Sequence, residues 1–192
     1  MNEDITDLKD VKIDDSNIDD WLYRKIKIHG DFISQENIFV FTHLSDPRGK
    51  FGGAGYWVLN PFKSDEGNII IINRGFIPQN IFDKFSLSTN NYKENIVTGY
   101  IRKFEKENIF TPDKNIEDRI LYLFEKNDIK KLFRIKKIEP YFIDQVDEYN
   151  SLPQSNETQL KFPNNHLSYA ITWYGLATVS YTHLTLPTSD LV

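Results

Sequence analysis

The sequence predicts an α+β protein: a mainly antiparallel β-sheet curling toward a barrel or sandwich, with a helical insert near 115–135 and a C-terminal helix from about residue 166. Three observations predict it. Short apolar runs, alternating with period two or unbroken in Ile, recur along the chain between turn residues. One internal stretch, Asn115 to Ile135, carries apolar residues at helical spacing. The regular strand–helix alternation that a parallel doubly wound sheet needs is missing.

The elements follow in order. Met1 to Asp20 is acidic and reads as a flexible, solvated arm, with no signal peptide or membrane segment at its start. Trp21 to Ile33 alternates Tyr23, Lys25 and Lys27 against Ile26, Ile28 and Phe32, which predicts a strand, with Gly30 a bulge candidate. Asn37 to Leu44 is short and β-prone; Ser45 to Lys50 is a loop by its turn chemistry. Gly52-Gly53-Ala54-Gly55 leads into an aromatic strand, Tyr56 to Phe62. Those glycines precede a strand rather than a helix and lack a following Lys-Ser/Thr, so they are a loop entering a strand and not a phosphate cradle. Lys63 to Asn68 is a hairpin turn, and the Ile run from Ile69 to Asn73 is a strand buried on both faces, ended by Arg74 to Pro78. Tyr92 to Lys106 holds another alternating strand. The helical insert reads as one or two helices, with Ile116, Ile120, Leu121, Leu123 and Phe124, then Ile129, Leu132 and Phe133, on one side. Glu139 to Val146 and Glu157 to Phe162 are later strands, joined by a polar connector from Asp147 to Asn156. The β-rich domain thus covers residues 21–163.

After Lys161 no Lys, Arg or Glu follows, and the one later acid is Asp190. Pro163 stops an extended run, Asn164 or Asn165 can cap a helix, and Leu167, Ala170, Ile171 and Tyr174 recur at helical spacing. Tyr169, Trp173 and Tyr174 are aromatics that favour a membrane–water boundary. Residues 164–178 therefore read as the start of a membrane helix, shorter than the about 20 apolar residues a span needs. Residues 179–192 lack that spacing and resemble a translated sequencing adaptor, a non-native tail to exclude from the fold. The native protein is expected to continue past Thr178.

Composition excludes several function classes. A hydrophobic content of 40% and an aromatic content of 14% rule against a disordered chain. The net charge of −5, with no basic block interleaved with aromatics, rules against nucleic acid as a partner. There is no cysteine, hence no disulfide frame, thiolate metal site or cysteine nucleophile, and the single methionine is Met1. No catalytic constellation stands out, so no enzyme is expected. Arg74 can hold a propionate or phosphate in its planar fork, or bond backbone carbonyls or an acid as a strand-end arginine. His166 stands at the mouth of the aromatic helix, where an imidazole can ligate a metal or a haem iron, or hydrogen-bond the helix start.

Four separated strings carry a resemblance: Gly55-Tyr56-Trp57-Val58-Leu59-Asn60-Pro61-Phe62, Asn73-Arg74-Gly75-Phe76-Ile77-Pro78, Gly99-Tyr100-Ile101-Arg102, and Asn164 to Ala177. Tyr23 to Ile26 with Gly30 and Phe32, and Pro140 to Asp144, fit the same pattern. Together they resemble the Surfeit-locus-one family, membrane assembly factors for cytochrome c oxidase, over roughly Trp21 to Thr178. The resemblance implies two membrane helices flanking a soluble domain, with the first helix missing here and the second truncated. It implies a site in the bacterial inner membrane with the soluble domain in the periplasm, or in the mitochondrial inner membrane. It implies that the protein assists insertion of haem a into oxidase subunit I, with subunit I, proteins of haem a synthesis or delivery, and membrane lipid as partners. His166 matches the expected iron-ligating position; Tyr169 and Trp173 would line the porphyrin, and Arg74 would meet a propionate. The alternative expectation is a soluble β-barrel that binds a small ligand or a protein without a membrane anchor.

Overall fold

The computed structural model describes residues 5–86, 95–106, 119–146, 152–157 and 166–185. Among them eight strands join into one sheet: β1 (Thr6–Asp7), β2 (Lys25–Phe32), β3 (Ile38–Leu44), β4 (Gly53–Ser64), β5 (Ile69–Pro78), β6 (Ile96–Lys103), β7 (Ile120–Leu121) and β8 (Tyr141–Gln145). Their order is β1-β2-β6-β8-β5-β4-β3-β7. The end of β2 turns back onto β4, pairing Gly30 with Ser64 and Phe32 with Phe62. Strands β2, β6, β8, β5 and β4 therefore form a closed circuit, the curl that many short strands predict. Its pairings are antiparallel except β5 with β8, where Ile71, Ile72 and Asn73 match Phe142, Ile143 and Asp144.

The alternation in β2 puts Ile26 and Ile28 inward, where they meet Phe62, Ile70, Ile72, Val97, Ile101 and Ile143, so all five strands of the circuit fill one core. The Ile run of β5 is buried on both faces. Ile70 and Ile72 point into that core, whereas Ile71 packs with Ile38, Val40, Leu59, Leu121 and Phe142 on the other side. Among the described residues three short α-helices accompany the sheet, α1 (Ile18–Trp21), α2 (Phe82–Ser86) and α3 (Lys126–Phe133), and α3 covers this second face through Ile129, which is fully buried. Glu125 caps α3 by accepting from the N–H groups of Asn127 and Asp128.

Several boundaries differ from the expectations. Residues 5–20 are packed rather than solvated. β1 pairs in parallel with β2, and Leu8, Ile13 and Ile18, the last opening the one-turn α1 (Ile18–Trp21), are buried in the main core. Burying each such side chain is worth about 2 kcal/mol, and the neighbouring acids Asp10, Asp15, Asp19 and Asp20 stay exposed. β2 starts at Lys25 because Tyr23 takes a left-handed backbone, φ 64, after α1. β5 does not end at Asn73 but runs on to Pro78 against β4. α3 is shorter than the predicted insert, since Ile120 and Leu121 pair with Phe39 and Val40 instead of entering the helix. Residues 115–118 and 158–162 lie outside the described ones, and Glu157 is not in a strand.

By the clustering of their contacts, Met1–Thr158 and Gln159–Val192 are separate units. The second holds α4 (His166–Thr185), which starts at the predicted residue and continues as helix beyond Thr178. Among the described residues no helix is long and apolar enough to cross a membrane.

Candidate functional site

β5 carries Arg74 on the same face as Ile70 and Ile72, by the two-residue period of a strand. It is only 7% exposed, and its guanidinium carbon lies 4.8 Å from the centre of the Phe32 ring. Phe32 in turn packs edge-on to Phe62 at 5.0 Å. A desolvated cation over an aromatic face is worth about 2 kcal/mol. Gly75 follows with φ +131, and a Cβ there would stand 2.3 Å from the carbonyl oxygen of Gln154. Only glycine lets the 152–157 segment come this close. Phe76 and Gln154 exchange both backbone hydrogen bonds at 2.8 Å.

That segment closes a clasp. Glu157, 3% exposed, accepts from the backbone N–H groups of Arg48 at 2.7 Å and Gly49 at 2.6 Å, and from the Gln154 amide at 2.7 Å. Gln154 also accepts from Phe51 N–H and donates to Phe51 carbonyl, both at 2.8 Å. A buried carboxylate is tolerable where several donors replace its water. On the other face of β5, Asp144 accepts from the Asn73 amide at 2.9 Å and from Arg102 at 3.1 Å, while Asn73 accepts from Gly75 N–H at 3.2 Å. Arg102 stacks over Tyr23 at 5.2 Å. Asn73-Arg74-Gly75 is thus held on both faces of the sheet.

In the second unit, α4 contains no Asp, Glu, Lys or Arg. Tyr169 and Trp173 are 63% and 70% exposed, and Ile171, Tyr174, Leu176, Val179 and Tyr181 are exposed as well. The four-residue spacing puts Tyr169 and Trp173 on one side of the helix, and position 166 precedes them by one turn on that side. The side chain of His166 lies outside the described residues. Of the sequence-predicted site residues, Arg74 belongs to the first unit and His166, Tyr169 and Trp173 to the second. Among the described residues no cluster of His, Cys, Asp or Glu is arranged to hold a metal ion. His29 faces Asp7 at 3.5 Å, and His43 is exposed near the end of β3. Sequence reasoning missed Asn73, Asp144, Gln154 and Glu157 as an organised group. Their partners lie far off in the chain, Arg48 being 109 residues from Glu157, so no local pattern signals them.

Fold and site together define a class: a β-sheet head whose strands close on themselves, followed by an uncharged, aromatic-rich helix. Comparison with known proteins makes this particular. The chain belongs to the SURF1 family, whose model matches residues 2–178. It is 28% identical over 159 residues to a SURF1-like protein of Rickettsia bellii, covering 81% of this chain and 64% of that protein. It is 30% identical over 169 residues to Surfeit locus protein 1 of Gallus gallus, covering 80% and 53%. It is 29% identical over 176 residues to Surfeit locus protein 1 of Homo sapiens, covering 83% and 57%. The chain thus spans between about half and two thirds of the length of these relatives.

Proposed function

We propose that this chain is the β-rich head of a membrane-anchored, non-enzymatic assembly factor for a haem–copper oxidase. It is moored to lipid through the segment after Phe162, in a bacterial inner membrane with the head in the periplasm or in the mitochondrial inner membrane. The observation that carries the reading is α4: a helix with no formal charge that exposes Tyr169, Trp173 and Tyr174, side chains suited to a lipid–water boundary.

In this reading haem a is cargo, passed to oxidase subunit I. The helical spacing of His166, Tyr169 and Trp173 fits that cargo: an imidazole at one turn and two flat rings on the next two, on one side of a helix. One axial histidine without a second strong ligand suits a carrier that must release what it binds. Arg74 fits less directly, because its guanidinium is buried against Phe32 and would have to leave that ring to meet a propionate.

Titration with haem a, followed by Soret absorbance, tests the ligand role. A band shift that is lost in His166→Ala is expected; a variant that binds with unchanged spectrum and affinity removes His166 from the site. Vesicle flotation of a chain extended by its native sequence past Thr178 tests the anchor, and a protein that stays in the aqueous phase overturns it.

A further inference from the structure

A groove of about 490 Å³ lies between the N-terminal segment and α3, and none of the residues of the Arg74 clasp or of α4 lines it. Its apolar lining is Leu8, Val11, Ile13 and Ile138. Tyr141, only 3% exposed, lines it too, and its hydroxyl makes no hydrogen bond among the described residues. The hydroxyl oxygen is not sealed in the core but opens to the groove. Burial, and then the carboxylates of Glu139 and Glu66, push the Tyr141 phenol well above its ordinary range, so it remains a donor at neutral pH.

Lys12, Lys126, Lys130 and Lys137 stand around the groove; Lys12 is attracted to Asp14, and Lys126, Lys130 and Lys137 make no ion pair among the described residues. Lys126 and Lys130 are one turn apart on α3 and so share a side. A fifth lysine, Lys9, is paired with Asp7 at 3.4 Å. The groove also has acids, Asp14, Asp15, Glu66 and Glu139, of which Asp14 is engaged by Ser16. The wider surroundings tip the balance. From 126 to 137 the chain carries Lys126, Lys130, Lys131, Arg134, Lys136 and Lys137 against the single acid Asp128, in a protein of net charge −5. These cations make a local basic patch, with the single aromatic Phe133 among them, that the overall charge conceals. The volume falls in the range of small-molecule sites, about 300–1,000 Å³.

We propose that this groove binds a small amphipathic anion, an apolar body carrying one carboxylate or phosphate group. The head meets Lys126, Lys130 and Lys137, the body lies on Leu8, Val11, Ile13 and Ile138, and Tyr141 donates to a ligand oxygen. Nothing in it depends on the haem reading, since no residue of α4 takes part.

Calorimetric titration of the whole chain tests it, with octanoate, octyl phosphate, inorganic phosphate and octylammonium as probes. Binding of either amphipathic anion is expected, at least about a hundredfold tighter for octyl phosphate than for inorganic phosphate, because eight carbons leave water. The double change Lys126→Gln and Lys130→Gln should weaken that binding about tenfold, and Tyr141→Phe about three- to tenfold, as loss of hydrogen bonds to a charged group predicts. Unchanged thermal melting of the variants ties the loss to the groove. Octylammonium binding as tightly as octyl phosphate, equal affinity for inorganic phosphate, or no heat from either amphipathic anion at millimolar concentration each overturns the proposal.

Discussion

Gly75→Ala is predicted to cost far more than an ordinary glycine substitution. At φ +131 an alanine pays roughly 1–2 kcal/mol for its backbone alone. Its Cβ would also stand 2.3 Å from the Gln154 carbonyl oxygen and 2.7 Å from Ser155 nitrogen, both backbone atoms of a segment held at two ends. That segment must move away. The two 2.8 Å backbone bonds between Phe76 and Gln154 are then lost, at about 1 kcal/mol each. The total is about 3–4 kcal/mol. Gly67 is the internal control: its φ is +87, but a Cβ there meets nothing within 4 Å, so Gly67→Ala should cost only the backbone share, about 1 kcal/mol. Urea unfolding of both variants at 25 °C measures the difference, expected at about 2–3 kcal/mol. Equal destabilisation would show that the 152–157 segment is not fixed on Gly75, and the reasoning about the clasp would fall with it.

Two more predictions concern buried polar groups. Asp144→Ala strips Asn73 and Arg102 of a shared acceptor; because Arg102 remains about a third exposed, the loss should be about 2–3 kcal/mol in urea unfolding, below that of a fully buried pair. Asp144→Asn should recover part of it by keeping an oxygen for Asn73. Tyr141 governs the alkaline side. Its folded pKa lies above that of the unfolded chain, so its contribution is intact below about pH 10 and is lost as pH rises further, when only the unfolded phenol ionises. Tyr141→Phe should therefore flatten the decline in stability between pH 10 and 12, measured by thermal melting. Tyr56, raised by burial and then by Tyr122 and Asp83, leaves a residual slope of the same sign.

Legibility in the sequence followed the range of the interaction. Ile69 to Asn73 declared itself as a two-faced strand because its four consecutive isoleucines meet two cores, and the alternation of Lys25 to Ile28 gave β2 its inner side. Leu8, Ile13 and Ile18 were hidden among acids, at a spacing that fits neither helix nor strand, because each enters the core from a different local conformation. Ile120 and Leu121 have helical spacing with Phe124, yet the open margin of β3 claims them. At the candidate site, residue types were readable but company was not. Arg74 reads as an anion clamp or as a strand-end arginine, and only the fold shows Phe32 beneath it and Gln154 behind its neighbour.

The return of β2 onto β4 has a consequence beyond packing. Each strand of the circuit has neighbours on both flanks, and the unpaired margins among the described residues belong to two-residue β1 and β7 and to the end of β3. Sheets aggregate by adding foreign strands along long bare margins. Among the described residues this sheet offers little such template, the longest bare stretch being Phe41 to Leu44 of β3, so closing the circuit disfavours growth by edge addition.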